Sequence, residues 1–316
     1  MRGPVTSTLT PPVVGAPSSD DRRVPRRRRR IRWQPAWLFA APSLAILLVF
    51  IVYPIIQSFW YSLHNWRIGA DVQEWLGLGN YQELFADELF WNALRVTLIF
   101  SVVSVVLQIA LGYWAATALV RDTWLNRVVR SVFFFPTIVA LATIGLVWRF
   151  LLDPRIGFVG GVIQMFGGDP VPWLQDPDLA LPTVIFVSVW KTVGYAMIIL
   201  LAGIKGVPDS LYEAARLDGA NARQLNWHVT LPSIRPTLLF VTMILTINSL
   251  QVFDLVYVMT NGGPLFATDT LVTMMYREGF TNFNLGYASA IAWVLFLIIL
   301  VLSALQLRLF RYRDVD

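Results

Sequence analysis

Apolar residues gather in six blocks, at residues 36–61, 93–120, 131–151, 181–201, 234–259 and 287–309, and the stretches between them hold most of the charged side chains. Each block reaches the roughly 20 residues a helix needs to cross a hydrocarbon core. The pattern predicts an all-α integral membrane protein with six transmembrane helices. Pro54 and Pro136 fall inside two of the blocks and break them, which a helix bundle tolerates when neighbouring groups satisfy the freed carbonyls. Residues 35–316 read as one six-span domain. Residues 1–34, rich in Pro, Ser, Thr and Arg, have too little apolar content to fold alone and read as a disordered basic tail.

Composition excludes the soluble classes. Hydrophobic residues make up 56% of the chain and charged residues 14%, against about 25% charge in an ordinary globular domain. Such a chain covers its surface only if lipid is its solvent. The absence of Cys removes disulfides, thiolate metal sites and cysteine nucleophiles, and two His exclude an imidazole cluster. The net charge of +5 is an average that hides its distribution: nine of the 25 Lys and Arg lie in the first 32 residues.

That distribution orients the spans. The tail, the loop with Arg121, Arg127 and Arg130, the segment with Lys205, Arg216, Arg223 and Arg235, and the end with Arg308, Arg311 and Arg313 place 19 cations on one side, against five on the other. By the positive-inside rule both termini are cytoplasmic. The run Arg26 through Arg30 is read as this topology signal, and its charge suits anionic lipid. Nucleic acid is not an expected partner, since a span follows at once without interleaved aromatics. A cleaved signal peptide is not expected either, because the first apolar block is too long and lacks a small-residue cleavage site. Trp33, Trp37, Trp60, Trp66, Trp91 and Trp148 sit near span ends as interfacial anchors, and His64 is expected beside them at the outer interface.

The segment 205–235 is the longest between spans on the Arg-rich side, and it is written as two short helices. Ser210 and Glu213 after Pro208 have the spacing of a capping box. Leu211, Ala214, Ala215 and Asp218 then recur at i, i+3, i+4 and i+7, giving a narrow face of small and apolar residues suited to close docking. Gly219 is placed to end the first helix and Asn221 with Gln224 to start the second, before Leu225, Trp227 and His228. Leu231-Pro232 begins the return to the membrane. An elbow of this kind in the cytosol has the form of a docking handle.

Glu213-Ala214-Ala215, Asp218-Gly219-Ala220 and Leu231-Pro232 resemble the EAA signature of binding-protein-dependent ABC transporter permeases. The likeness runs over nearly the whole chain after the tail, and it is closest to the first permease subunit of the carbohydrate-uptake class, the maltose and glycerol-phosphate type. Gly77-Leu78-Gly79-Asn80-Tyr81, Phe90-Trp91-Asn92-Ala93-Leu94, Thr260-Asn261-Gly262-Gly263-Pro264 and Gly286-Tyr287-Ala288-Ser289-Ala290 are similar to further motifs of that class. Asn226 departs from it, since an aromatic residue, most often Phe, is usual there. The resemblance implies a type I importer permease in a bacterial cytoplasmic membrane, whose elbow sits in a cleft of an ATPase subunit with Glu213 and Gly219 as key positions. The expected partners are a second permease subunit, two cytoplasmic ATPase subunits and an extracytoplasmic solute-binding protein.

The chain carries no cofactor of its own on this reading, and ATP with Mg belongs to the partner ATPase subunits. No G-x-x-x-x-G-K-[ST] occurs, the only Lys before Ser or Thr being Lys191 within a span, and neither H-E-x-x-H nor G-x-S-x-G is present. Polar residues inside spans are default candidates for the cargo route. They are Lys191 and Tyr195 in the fourth block and Asn248, Ser249, Gln251 and Asp254 in the fifth, with Tyr257 near its outer end. A structural pair of Lys191 with Asp254 is the rival reading of those two. The amides supply fixed donors and acceptors for hydroxyl-rich ligands, and Tyr can stack on sugar rings. The resemblance, which places its cavity between the middle spans of two subunits, adds weight to Tyr195, Asn248 and Gln251. The expected cargo is a small molecule: a sugar, oligosaccharide or related polyol. The alternatives are an anionic polyol phosphate such as glycerol 3-phosphate, neutralised by Lys191, and an ion-driven secondary transporter, which six spans without recognisable halves do not favour. A scaffold without transport would leave the elbow unexplained.

Overall fold

The computed structural model describes residues 36–69 and 73–311, so the tail expected over residues 1–34 lies outside them. The chain divides into two compact units, the first ending at Val52 and the second running from Tyr53. In the first, α1 (Ala36–Leu47) is followed by a π-helical turn, Leu48–Val52. From Ala40 onward no side chain of this unit is buried, as befits an apolar helix whose solvent is lipid.

The second unit opens with α2 (Tyr53–Ser62), in which Pro54 is the second residue. A short hairpin follows, β1 (His64–Asn65) with β2 (Glu74–Trp75), paired antiparallel so that His64 faces Trp75. Then come α3 (Gly79–Ala86), α4 (Glu88–Ala118), α5 (Trp124–Ile138), α6 (Leu141–Leu151), α7 (Phe158–Met165) and α8 (Pro177–Lys205). The elbow contains α9 (Asp209–Leu217), α10 (Ala222–Leu225), a π turn (Asn226–Thr230) and α11 (Leu231–Ser233). The chain closes with α12 (Arg235–Leu250), α13 (Asp254–Met259), α14 (Leu271–Tyr276), a π turn (Arg277–Thr281) and α15 (Leu285–Arg311).

Four helical runs among the described residues are long and apolar enough to cross a membrane: Ala40–Ser62, Glu88–Ala118, Pro177–Lys205 and Leu285–Leu309. The count reaches six if two bent pairs are each one span. The third expected span, at 131–151, is one of these pairs: α5 and α6 meet at a 99° bend, and the break falls at Val139 and Ala140, which are extended, rather than at Pro136 itself. The fifth, expected over 234–259, is interrupted at 251–253 between α12 and α13, and the elbow joins α12 through a 69° bend.

The second unit is organised around α8, whose most extensive partner is α4. On α4, Thr97, Ser101, Ser104, Gln108 and Gly112 face inward while Val102, Val106 and Trp114 are exposed. Polar and small residues inside with large apolar ones outside invert the soluble pattern, and they let helix backbones approach closely. At Gly112 an added Cβ would stand 2.8 Å from the Cβ of Ala196, and at Gly194 it would stand 2.0 Å from the carbonyl oxygen of Phe133. Three apolar clusters result, one of α6, α8 and α13, one of α4, α8 and α12, and one of α3, α4, α14 and α15.

His64, expected at the outer interface, is 7% exposed, held between Trp60 and Trp75 at ring separations of 4.5 and 4.9 Å, with Nδ1 bonded to the Trp60 carbonyl. The β pairing with Trp75 closes over it. Ser210 and Glu213 form no capping box, because Pro208 takes the N-cap of α9 and Ser210 falls inside the first turn. From the α5–α8 contact, Gly194→Val is expected to cost on the order of 3 kcal/mol, whereas Gly161→Ala, inside α7 with open space at the added Cβ, is expected to raise stability by up to about 1 kcal/mol. Thermal melts of the two variants in detergent check this.

Candidate functional site

The elbow is a rigid object with an uncovered side. Helix α9 ends in a Schellman motif: the Gly219 N–H donates to the Arg216 carbonyl (3.0 Å) and the Ala220 N–H to that of Ala215 (2.9 Å), with Gly219 at φ 82°. The second helix starts in a complete capping box, Asn221 Oδ1 accepting from the Gln224 N–H (2.9 Å) and Gln224 Oε1 from the Asn221 N–H (2.8 Å). No residue of α9 is buried. Leu211, Glu213, Ala214, Asp218 and Gly219 are exposed together, and Leu217 is 89% exposed. Ala215, Leu231 and Pro232 are half-buried, as is Tyr212, whose hydroxyl meets that of Thr230 at 3.1 Å.

One bond ties this object to a span, and an ion-pair clamp steadies the helix that leads into it. The Tyr113 hydroxyl of α4 donates to Asn226 Oδ1 at 2.6 Å, so the residue that departs from the usual aromatic serves as an acceptor for a neighbour one span away. At the end of α8, Lys205 Nζ lies 2.7 Å from Asp122 Oδ2, and Arg130 Nη1 lies 2.9 Å from Oδ1. Hydrogen bonds from Lys205 and then Arg130 hold the Asp122 carboxyl below the usual carboxylate range. This clamp therefore stays closed at neutral pH and is lost only as pH falls through that lowered value. Arg130 also donates to the carbonyls of Leu119 and Arg121, capping the end of α4. A cavity of about 580 Å³ lies behind the elbow, lined among others by Asp122, Lys205, Tyr212, Arg216 and Asn226.

The route candidates divide. Lys191 Nζ donates to the Thr137 carbonyl at 3.3 Å and Thr137 Oγ1 donates to the Lys191 carbonyl at 3.0 Å. The ammonium thus caps the last turn of α5, whose carbonyls are orphaned by the break. Among the described residues it makes no ion pair with Asp254, so the rival carboxylate pairing is replaced by a carbonyl. Tyr195 packs half-buried in the α4–α8–α12 cluster. Ser249 is buried and donates to the Thr246 carbonyl at 3.0 Å within its own helix. Asn248, Gln251 and Asp254 are exposed and flank the α12–α13 interruption, Gln251 as the C-cap of one helix and Asp254 as the first residue of the next. A groove of about 690 Å³ between α4 and α8 is lined by apolar side chains such as Leu107, Trp114 and Phe186, and its chemistry suits hydrocarbon rather than a hydroxylated ligand. On the face opposite the elbow, Asp269, 1% exposed, pairs with Arg277 at 2.8 Å. Gly262, at φ 83°, lets the loop carrying Thr260-Asn261-Gly262-Gly263-Pro264 close on that carboxylate.

Residues 108–313 match the family described as the binding-protein-dependent transport system inner membrane component. The chain belongs to that family. It is similar to the probable ABC transporter permease YurN of Bacillus subtilis, 37% identical over 87% of this chain and 95% of the relative. It is also similar to the trehalose/maltose permease MalF of Thermococcus litoralis (33%; 88% and 94%) and to the sn-glycerol-3-phosphate permease UgpA of Agrobacterium fabrum (31%; 86% and 93%). A solved bacterial ABC transporter that imports the acidic polysaccharide alginate contains a chain of the same fold, with TM-score 0.77 and 25% identity over 88% of this chain and 96% of that one. This permease is therefore a multi-pass transport component rather than an enzyme.

Sequence reasoning missed the struts of the permease. Lys205 and Arg130 counted only as topology signals, and neither Asp122, Tyr113 nor Thr137 stood out, because each acquires its role from a partner distant in the chain. From the Tyr113–Asn226 bond, Tyr113→Phe is expected to cost roughly 1–2 kcal/mol by leaving the amide unpaired. Adding Asn226→Phe, the residue usual in the class, is expected to recover most of that loss, and a double-mutant cycle of thermal midpoints in detergent reads both.

Proposed function

We propose that this permease is one of two different membrane subunits of an ATP-driven importer, and that α9 is the part that receives the stroke of a cytoplasmic ATPase. The uncovered, doubly capped elbow carries this reading: a helix that buries none of its residues in its own chain yet is held in one geometry is built to be covered by another protein. Two ATPase subunits supply ATP and Mg, a second permease completes the channel, and an extracytoplasmic solute-binding protein docks on the face opposite the elbow. The excess of cations on the elbow side supports a cytoplasmic position for it and for both termini. The membrane is the bacterial cytoplasmic one. In operation, ATP closes the paired ATPases, Glu213, Ala214, Ala215, Asp218 and Gly219 follow in their clefts, and Leu231 and Pro232 pass the motion to α12. Binding protein and nucleotide drive the change only because each favours one of two conformations.

The cargo is a sugar, oligosaccharide or related polyol, moving past Asn248, Gln251 and Asp254 with Tyr195 and Ser249 shaping the wall. The names of MalF and of the alginate importer support a saccharide, and that of UgpA supports a polyol phosphate. An ion-driven mechanism has no observation in its favour.

Copurification of the tagged permease in mild detergent is expected to bring down an ATPase and a second permease, with ATP hydrolysis stimulated by a sugar-loaded binding protein. A lone chain without nucleotide dependence would sink the reading. Glu213→Ala and Gly219→Asp are expected to insert normally and to abolish uptake, and unimpaired uptake in either variant would remove the coupling role from α9.

A further inference from the structure

The cavity behind the elbow has a construction of its own. Asp209, Tyr212 and Arg216 line it from α9 at i, i+3 and i+7, and at 3.6 residues per turn they occupy the side of that helix opposite Leu211, Ala214 and Asp218. One face of α9 is therefore left for a partner protein while the other closes a space of about 580 Å³. Its floor is apolar and its rim is charged. Ile204 and Val207 are buried, with Val120 and Leu225 half-buried beside them, whereas Asp122, Lys205, Asp209 and Arg216 are exposed.

Helix length sets the depth of this rim. α8 has 29 residues and α4 has 31, which at 1.5 Å per residue come to about 43 and 46 Å, the thickness of a bilayer with both headgroup layers, roughly 40–45 Å. Lys205 ends α8 and Thr117 lies in the last turn of α4, so the cavity stands among the headgroups of the leaflet on the elbow side. The charges agree with that place. Asp122 is taken up by Lys205 and Arg130, while Arg216 pairs with no carboxylate among the described residues. Arg130, Lys205 and Arg216 thus stand against Asp122 and Asp209, a surplus of one positive charge. A soluble anion would match the rim alone and hydrocarbon the floor alone, whereas an anionic phospholipid matches both.

We propose that this cavity binds the headgroup of an anionic phospholipid that also carries hydroxyls, of the phosphatidylglycerol class. Its phosphate lies toward Arg216 and Lys205, its hydroxyls donate to Asp209, and its ester end rests on Ile204, Val207 and Leu225. Bound there, the lipid fills the space into which α9 would otherwise yield, so that the elbow passes on a push with less loss. The binding site stands on the geometry of the elbow, and its effect on coupling rests on the importer reading above.

The test uses the complete transporter, delipidated in mild detergent and titrated with phosphatidylglycerol, phosphatidylethanolamine, phosphatidylcholine or inorganic phosphate, with bound molecules counted by native mass spectrometry. Ala222→Trp fills the rim from an exposed position that lines the cavity, and the intact complex is expected to hold one phosphatidylglycerol that this variant lacks. Arg216→Gln is expected to weaken that binding about fivefold, the worth of one cation near a lipid surface. Arg223→Gln removes an exposed cation of the same elbow outside the cavity and is expected to bind as the intact protein does. Unchanged binding in both cavity variants overturns the site. Equal retention of phosphatidylethanolamine or phosphatidylcholine overturns the choice of lipid, and displacement of the lipid by inorganic phosphate makes this a site for a free anion and overturns it too. In liposomes, phosphatidylglycerol is expected to raise ATP hydrolysis stimulated by the binding protein severalfold over phosphatidylcholine alone, and Ala222→Trp is expected to lose that gain. A gain kept in Ala222→Trp overturns the regulatory role. Absence of any ATPase from the intact preparation is a different result: it removes the importer reading and leaves the lipid count on the permease to decide the site.

Discussion

A carbonyl or N–H in hydrocarbon has no water to turn to, so every break in a membrane helix must be matched by a donor or acceptor from elsewhere in the protein. Much of the second unit follows from meeting that demand at two breaks. Where α5 gives way to α6, the Lys191 ammonium takes the Thr137 carbonyl and the Thr137 hydroxyl takes that of Lys191. Where α12 gives way to α13, the Thr270 hydroxyl donates to the Val252 carbonyl at 3.2 Å, and at the start of α14 the Thr97 hydroxyl accepts from the Leu271 N–H at 2.9 Å. The donors come from α8, α5 and the segment before α14, so satisfying the breaks is the same act as packing the helices.

The same logic gives the elbow its stiffness. A flexible loop would absorb a push from a partner, but α9 and α10 are capped at the turn between them by bonds internal to residues 215–224. The elbow is tied outward by Tyr113 to α4, while Lys205, just before it, reaches Asp122 beyond α4 and Arg130 in α5. The elbow is thus bonded to α4 and leads through its bend into α12, while the helix before it is pinned at Asp122. Such a contiguous network is the physical form that a coupling route takes.

How much of this was legible in the sequence depended on how far each interaction reaches along the chain. Span existence was legible because hydrocarbon thickness imposes a length on composition. Gly219 and the Asn221–Gln224 box were legible because their geometry closes within a few residues. Ser210 and Glu213 misled because the neighbouring Pro208, with its fixed φ, claimed the N-cap first. The 99° bend was not legible at Val139 and Ala140, since what stabilises it is a lysine 54 residues away, and Asp122 meets Lys205 across 83 residues. The burial of His64 was not legible because nothing local announced that Trp75 would fold back over it. The site was thus readable in its local grammar and unreadable in its struts.

The joint between α5 and α8 shows why a charged residue survives inside an apolar span. Gly194 brings the backbone of α8 so near to Phe133 that no side chain fits between, and one turn earlier Lys191 reaches the open end of α5. Removing the ammonium would leave a half-buried carbonyl unpaired at a cost of about 1 kcal/mol. Charge and break therefore stabilise one another. A rearrangement that pulled α5 from α8 would have to break this bond, so the two helices move together and the flexing falls on the extended pair Val139 and Ala140.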